Sequence, residues 1–323
     1  MKSNISIIGA GIGGLTMALF LKQKGFNVHI YESAEAIKPI GAGIVMANNA
    51  MQIYKQLGIH KKIEAAGNRI SKMYITNVHF QELAAFELID FEQKNNVHNI
   101  AIHRADLQHI LAEEFGYENI HLSKRLSHIT LNNNVQLTFT DGSIEACDYL
   151  IGADGLRSTV RNIIFGNCVL RNAHQPCWRG VCNYNVPIEK QHGAIEIWDK
   201  GKRFGYVKIN EQQVYWYALI NEKDVHDLEP NLVDYFQSFG TEVLNIIDTT
   251  DKNQIYKSDI IDLKPIATWH TNNICLLGDA AHATTPNLGQ GACQAWKMRM
   301  SLLSFLIPEC PSRKYLHLTI KYE

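Results

Sequence analysis

The sequence predicts an α/β fold in which a discontinuous dinucleotide-binding domain is joined by a second, α+β domain built on an antiparallel sheet. Three observations carry that expectation. An apolar run, Ile5 to Ile8, leads directly into Gly9-Ala10-Gly11-Ile12-Gly13-Gly14. Two later apolar runs also end in glycine motifs, Gly152-Ala153-Asp154-Gly155 and Gly278-Asp279-Ala280-Ala281-His282. Between those two, the stretch from about 168 to 264 changes character, with segments rich in aromatic and β-branched residues, as sheets favour.

Bulk properties narrow the function classes. A chain of 323 residues is long enough for a large core and two domains. Lysine plus arginine number 31 and aspartate plus glutamate 32, so net charge favours neither nucleic acid nor an anionic membrane. The seven cysteines are scattered, with no Cys-x-x-Cys spacing, which reads as reduced thiols rather than a disulfide framework or a metal site. Met1 to Asn4 run straight into the first strand, leaving no room for a secretory leader. No apolar stretch is long enough to span a bilayer, so the expectation is a soluble, cytoplasmic protein.

The elements follow in order. Ile5 to Ile8 is nearly continuous in apolar character, as expected of a parallel strand buried on both faces. After the glycines, Leu15, Ala18, Leu19 and Leu21 recur with helical spacing, and Gly25 ends that helix. Val28 to Tyr31 forms the next strand, closed by Glu32. Strand, tight turn, helix, strand and acid are the Rossmann-like dinucleotide context. Gly9 permits the turn, Gly11 lets backbone approach a pyrophosphate, and Gly14 lets the helix pack close to the strand. The helix N-terminus offers unpaired N–H groups to phosphates. Glu32 is placed to accept from a ribose diol, and its charge disfavours the 2′-phosphate of NADP at this site. A bare glycine turn is the alternative, and FAD and NAD stay undecided here.

Pro39 to Ile44 reads as a flexible loop, and a helix follows with Met51, Ile53, Tyr54 and Leu57 on its apolar positions. Lys72 to Val78 alternates like an antiparallel strand. His103-Arg104-Ala105-Asp106-Leu107 opens a helix running to about Phe115. Leu126 to Leu131 and Val135 to Thr140 alternate, and Asp141-Gly142 turns into a return strand, a small hairpin unit. It feeds Tyr149 to Gly152 and then Ala-Asp-Gly-Leu-Arg-Ser-Thr-Val-Arg, ending at Arg161. Trp178–Val186, Ala194–Trp198, Arg203–Ile209 and Val214–Ile220 are strand-like, and 232–239 and 242–247 helical. Ile274 to Leu277 is a buried strand before the last motif, which continues through Pro286-Asn287-Leu288-Gly289-Gln290-Gly291.

Taken in this order, the three glycine motifs and the His-Arg-Ala-Asp-Leu segment resemble the signature of the FAD-dependent aromatic-ring monooxygenases, the p-hydroxybenzoate-hydroxylase-like group A flavoprotein hydroxylases. The resemblance implies FAD as cofactor, NADH or NADPH as transient co-substrate, and molecular oxygen. It implies hydroxylation of a small aromatic or heteroaromatic substrate through a C4a-hydroperoxyflavin. It assigns Gly9, Gly11, Gly14, Glu32, Gly43, Arg104, Leu126, Asp154, Asp279, Gly289, Gln290 and Gly291 to cofactor binding. Taken alone, Arg104 would be a solvated helix-terminus arginine. The Pro286 loop would pass beside the isoalloxazine, and His282 would brace that loop by hydrogen bonding. The FAD domain would comprise residues 1–70, 100–167 and 265–323, and the substrate domain 71–99 and 168–264.

By the same resemblance, Trp178-Arg179-Gly180 and Gly201 to Gly205 line the substrate pocket of urate- and salicylate-type hydroxylases. Arg179 and Arg203 would orient an oxygen-rich ring, and Tyr215 would hydrogen-bond it. The alternative is exposed strand arginines and a core tyrosine. Urate-type members carry an acid after the loop proline, where this chain has Asn287, which argues against urate.

The chain departs from the family after Ala295. Members continue with a residue and then Glu-Asp-Ala, whereas here Trp296-Lys297-Met298-Arg299-Met300 follows. With an AAG lysine and a CGN arginine, the codons of that pentapeptide read one base earlier give Leu, Met or Val followed by Glu-Asp-Ala. A frameshift from about Trp296 therefore accounts for an atypical, truncated C-terminus. Two other readings stay open: a flavin-dependent epoxidase or reductase acting on a polyprenyl-type lipid, and a flavin-binding chain whose altered C-terminus impairs catalysis.

Overall fold

The structure, a computed structural model, describes residues 3–37, 42–132, 134–166, 168–226 and 231–286. Pro39 to Gly41, Asn287 to Gly291 and the tail from Trp296 lie outside the described residues. Two compact units are present. One contains residues 1–37, 108–171 and 261–323, the other 38–107 and 172–260. The division expected from sequence differs over 38–70 and 100–107, which group here with the antiparallel strands, and over 168–171 and 261–264, which group with the first unit.

The first unit is built on a six-stranded sheet ordered His270–Thr271, Ile274–Leu276, Tyr149–Gly152, Asn4–Ile8, Asn27–Tyr31, Ile120–His121. Every neighbouring pair is parallel except the first. Ile5 and Ile7 are fully buried and Ile8 nearly so, and a strand covered on both faces needs that continuous apolar run. The helix Ile12–Gln23 connects the central strand to its neighbour and buries Leu15, Ala18, Leu19 and Leu21. Gly25, at φ +86°, adopts the left-handed conformation beyond its end. A separate three-stranded antiparallel sheet joins Leu126–Leu131, Val135–Phe139 and Ile144–Cys147.

The second unit carries a seven-stranded sheet ordered Tyr256–Leu263, Leu170–Asn183, Gln213–Ile220, Lys202–Lys208, Gly193–Asp199, Lys72–Asn77, Glu82–Glu87. It is mixed rather than wholly antiparallel, because Lys72–Asn77 pairs with Gly193–Asp199 in parallel. The pattern of alternating side chains is the same for either direction, so sequence alternation could not distinguish them. One face of this sheet is the larger hydrophobic core: Trp178, Ile195, Ile197, Phe204, Tyr206, Trp216 and Ala218 pack with Phe236, Phe239, Val243 and Ile246 from the helical stretch. Trp216 is completely buried, stacks on Phe204, and donates its indole N–H to the Thr250 hydroxyl at 2.9 Å.

A further three-stranded sheet, Gly43–Met46, Asn99–His103 and Asn68–Ile70, belongs to this unit. Residues 43 and 44, expected in a loop, are thus strand. Their ladder partner is supplied by Asn99–His103, more than fifty residues away in sequence, which local pattern does not reveal. The helices Asn48–Gln56 and Arg104–Phe115 stand where the helical spacing placed them.

Candidate functional site

The sheet order of the first unit gathers the three glycine motifs. Asn4–Ile8, Tyr149–Gly152 and Ile274–Leu276 are consecutive neighbours and parallel, so the turns that follow them emerge at one edge. In open α/β sheets that carboxyl edge, where strand order reverses, is where ligands bind. Asn4–Ile8 has the next strand in sequence on one side and Tyr149–Gly152 on the other, which makes it the reversal point.

The glycine turn is closed on its inner side and open on its outer side. Gly9 sits at φ +107°, and a Cβ there would lie 2.5 Å from the Ala153 carbonyl oxygen. A Cβ on Gly14 would collide with the Gly9 carbonyl oxygen. At Gly11 and Gly13, by contrast, an added Cβ meets nothing within 4 Å. The helix behind them has Gly11 as N-cap with no side-chain cap and no acid in its first turn. Its leading N–H groups and positive dipole end are therefore available to an anion. Glu32 closes the turn from the next strand: Oε2 accepts from the Ala10 N–H at 2.8 Å and Oε1 from the Ala34 N–H at 2.9 Å. Gln108 donates to the Ala10 carbonyl at 2.7 Å, bracing the turn from a third element. A cradle with open glycines, an uncapped helix start and a flanking carboxylate fits the pyrophosphate and ribose of FAD.

The middle motif is shaped by its own side chains. Asp154 Oδ1 accepts from the Ser158 hydroxyl at 2.5 Å, and Oδ2 from the Thr159 and Val160 N–H groups at 2.7 and 3.1 Å. Its carboxylate thus holds the start of the helix Thr159–Phe165. Arg161 is 1% exposed; Nη1 donates to the Ala280 carbonyl at 3.0 Å and Nη2 to the Leu156 carbonyl at 2.7 Å. One buried guanidinium therefore ties the second glycine motif to the third. Sequence inspection included Arg161 in the motif but could not show this tie, which needs residues 119 apart. Asp279 begins a short helix after Gly278 and is exposed while Ala280 and Ala281 are buried, so its carboxylate faces outward. Pro286 is exposed in the same unit. Leu126 is buried at the start of its hairpin strand.

His282 packs its ring 5.3 Å from that of Trp269, and its backbone N–H donates to the Gly278 carbonyl at 3.0 Å. Burial lowers its pKa below 6.5, with Asp279 pulling the other way. Burial likewise lowers His60 and, with help from His29, His121. The unfolded chain protonates these rings near 6.5 while the fold keeps them neutral. Stability is then complete above the unfolded value and is lost as pH falls through it. The melting temperature should drop between about pH 7.5 and about pH 5.5, and His121→Gln should flatten that drop; a profile flat over this window contradicts the assignment.

In the second unit, alternate residues of the seven-stranded sheet face away from the large core. Strand register aligns Glu196, Gly205, Tyr217 and Arg179 in one row, and Trp198, Arg203, Leu219 and Cys177 in the next. The row on the other side is Ala194, Val207, Tyr215 and Val181, part of a smaller apolar cluster with Ile70, Ala101 and Val45. Arg179, Arg203 and Tyr215, singled out by resemblance alone, therefore share a sheet face through strand register. Arg179 Nη1 donates to the Ser258 hydroxyl at 2.5 Å. Burial pushes the Tyr215 phenol up to about 12, against the pull of the Arg179 and Arg104 cations. Arg104 is exposed at the start of its helix, its N–H donating to the Ala42 carbonyl at 2.9 Å. Gly43 has a packing reason to be glycine, since a Cβ there would collide with the Tyr215 side chain.

Two residues on this face, Glu196 and Tyr217, escaped the sequence reading. The Glu196 carboxylate accepts from the Trp198 indole N–H and the Tyr217 hydroxyl, and lies 3.6 Å from the Arg203 guanidinium. Gly205 makes room for the Tyr217 ring, which occupies the space a Cβ would take. The signal was present as an acid flanked by Ile195 and Ile197 on a half-buried strand, a position where a lone carboxylate requires partners.

Among the described residues, no helix is long and apolar enough to cross a membrane, and no cluster of three or more His, Cys, Asp or Glu could hold a metal ion. The FAD binding domain family matches residues 2–307. Aurachin C monooxygenase/isomerase of Stigmatella aurantiaca is 34% identical over 302 residues, spanning 91% of this chain and 79% of that protein. The FAD-dependent urate hydroxylase of Mycolicibacterium vanbaalenii is 28% identical over 313 residues, spanning 92% of this chain and 78% of that protein. The crystal structure of Klebsiella pneumoniae HpxO complexed with FAD and uric acid superposes with a TM-score of 0.87 at 26% identity, covering 98% of this chain and 82% of that one. With the glycine cradle, the sheet order and these matches in agreement, the chain belongs to the FAD-dependent aromatic hydroxylase family and is a flavoprotein monooxygenase.

Proposed function

We propose that this monooxygenase uses NAD(P)H and molecular oxygen to hydroxylate a small heteroaromatic ring held against the sheet face that bears Arg179, Arg203 and Tyr215. The observation that carries the reading is that face itself. Its opposite side is a packed apolar core, while this side presents two guanidiniums and a phenol in neighbouring rows. Charged rows suit an oxygen- or nitrogen-bearing ring better than a polyprenyl chain, which would leave them desolvated and unpaired. The relatives named for urate and aurachin C act on such rings, which supports the same substrate class.

Gly9, Gly11 and Gly14 would take the FAD pyrophosphate on backbone N–H groups, and Glu32 a ribose hydroxyl. Arg104, Asp154 and Asp279, with Gly43, Leu126, Gly289, Gln290 and Gly291, are assigned to the same cofactor by family pattern. Bound FAD supplies the electron transfer and oxygen activation. The protein's own work is to orient the ring and limit water. Tyr215 stays protonated well above neutral pH, so it donates a hydrogen bond to a ring oxygen or accepts one from a ring N–H. Arg179 directs its remaining N–H groups to an electronegative edge. The five described cysteines are free thiols, which suits the reducing cytoplasm.

The test is NAD(P)H oxidation by the purified yellow protein across quinolones, phenols and purines, with product analysis. We expect substrate-stimulated oxidation with hydroxylated product, and a fall of about tenfold or more in kcat/KM for Arg179→Gln and Tyr215→Phe, equivalent to about 1.4 kcal/mol or more. Bound flavin without stimulation by any ring would instead support the reading in which the altered C-terminus impairs catalysis.

A further inference from the structure

The charge balance of the sheet face is uneven. Arg203 is opposed by Glu196 at 3.6 Å, both side chains only about a fifth exposed, at 22% and 20%. Arg179, in the same row as Glu196, has no ion pair among the described residues and spends one N–H on a neutral serine hydroxyl. Glu196 is also held firmly. Trp198 and Tyr217 donate to its two different oxygens, and Gly205 leaves the space that lets the Tyr217 ring lie beside it. An ionised carboxylate has about four acceptor positions, and three neighbours approach this one, so a position is left for another donor.

We propose that Glu196 sets the charge selectivity of the substrate face, admitting neutral rings that carry an N–H or O–H donor and rejecting anionic ones at Arg203. The inference rests on the pocket reading above and deepens it. An anion seeking Arg203 meets a carboxylate already in place, held there by two further donors. It must either lie beside that like charge or displace it and strand the Tyr217 and Trp198 donors. A neutral ring with an N–H donor meets the reverse situation, since the free acceptor position of Glu196 can take its hydrogen. Tyr217 keeps its proton through this, because burial and the Glu196 charge hold its phenol well above the ordinary value. Glu196 thereby acts as a positioning and specificity residue that works through charge, beyond tying neighbouring strands together.

The experiment is equilibrium binding to the flavin-loaded protein, read by tryptophan fluorescence and by perturbation of the flavin spectrum. The probes are the unsubstituted quinolone ring and its carboxylate, kynurenic acid. Wild type should bind the neutral ring about tenfold or more tighter, and Glu196→Gln should shrink that ratio to within about threefold. Equal affinity in wild type, or a ratio unchanged by Glu196→Gln, overturns the proposal. The wild-type ratio needs no variant, so poor folding of Glu196→Gln leaves the test standing. Tyr215→Phe separates the two levels: if it weakens both ligands while the Glu196→Gln ratio is unchanged, only the charge gate fails. If it moves neither ligand, the pocket reading fails and this inference with it.

Discussion

Gly14→Ala should abolish both flavin retention and a large part of the stability. The new methyl has nowhere to go, because the Gly9 carbonyl oxygen occupies its place and Gly9 is itself pressed against Ala153. Relief requires the helix Ile12–Gln23 to lift from the strand Asn4–Ile8, opening the contacts of Leu15, Ala18 and Leu19. We expect a loss of about 4 kcal/mol or more, at the extreme of single substitutions. Flavin per chain should fall to below about a tenth of wild type, because the same turn carries the uncapped helix-start N–H groups proposed to take the FAD pyrophosphate. Gly13→Ala is the matched control. An added Cβ there meets nothing within 4 Å, and the position is helical, so alanine should hold or slightly raise the melting temperature. Equal melting temperatures for Gly14→Ala and wild type would refute the close-packing argument.

Arg161→Leu is expected to be the next most damaging change. The guanidinium is buried and serves two carbonyls, Ala280 and Leu156, that lie on different glycine motifs. Each carbonyl left without a donor costs about 1–3 kcal/mol, so a total of about 3 kcal/mol is the expected scale. That corresponds to a fall on the order of 5–10 °C in melting temperature. The effect should extend to the cofactor, because the turn bearing Asp279 loses its tie to the helix that Asp154 caps. Arg161→Lys should not restore wild-type behaviour, since one ammonium cannot reproduce two divergent donors of a planar fork. Thermal denaturation with and without added FAD tests both statements. A variant that melts with wild type would show that the two carbonyls find other donors.

Much of this molecule is legible in its sequence, and the reason is locality. The strand Asn4–Ile8, the turn at Gly9 and the helix after it follow from an uninterrupted apolar run, a glycine requirement and helical spacing, all within about twenty residues. The strands Leu170–Asn183, Gly193–Asp199, Lys202–Lys208 and Gln213–Ile220 were likewise visible, in their aromatic and β-branched composition, whereas the face shared by Arg179, Arg203 and Tyr215 came from register. Where the reading missed, the missing information was a partner far along the chain. Gly43 and Ile44 looked like loop because the ladder partner of their strand is Asn99–His103. Lys72–Asn77 is antiparallel to Glu82–Glu87, as expected, but its parallel pairing with Gly193–Asp199 was not visible, because parallel and antiparallel strands share one side-chain period.

The sequence by itself determined the local parts: a glycine turn opening a helix, an acid closing the next strand, two further strand–turn edges, and a sheet rich in aromatic and β-branched residues. It determined the family as well, because those motifs occur in a fixed order. Only the tertiary structure decided which groups act together. Strand order placed the three glycine turns at adjacent edges, and Arg161 joined two of them across 119 residues. Strand register set Glu196 against Arg203 and Tyr217, and turned Gly43 and Gly205 into space for two tyrosine rings. Those outcomes depend on pairing between distant segments, and a one-residue slip in register would send each of these side chains to the other face.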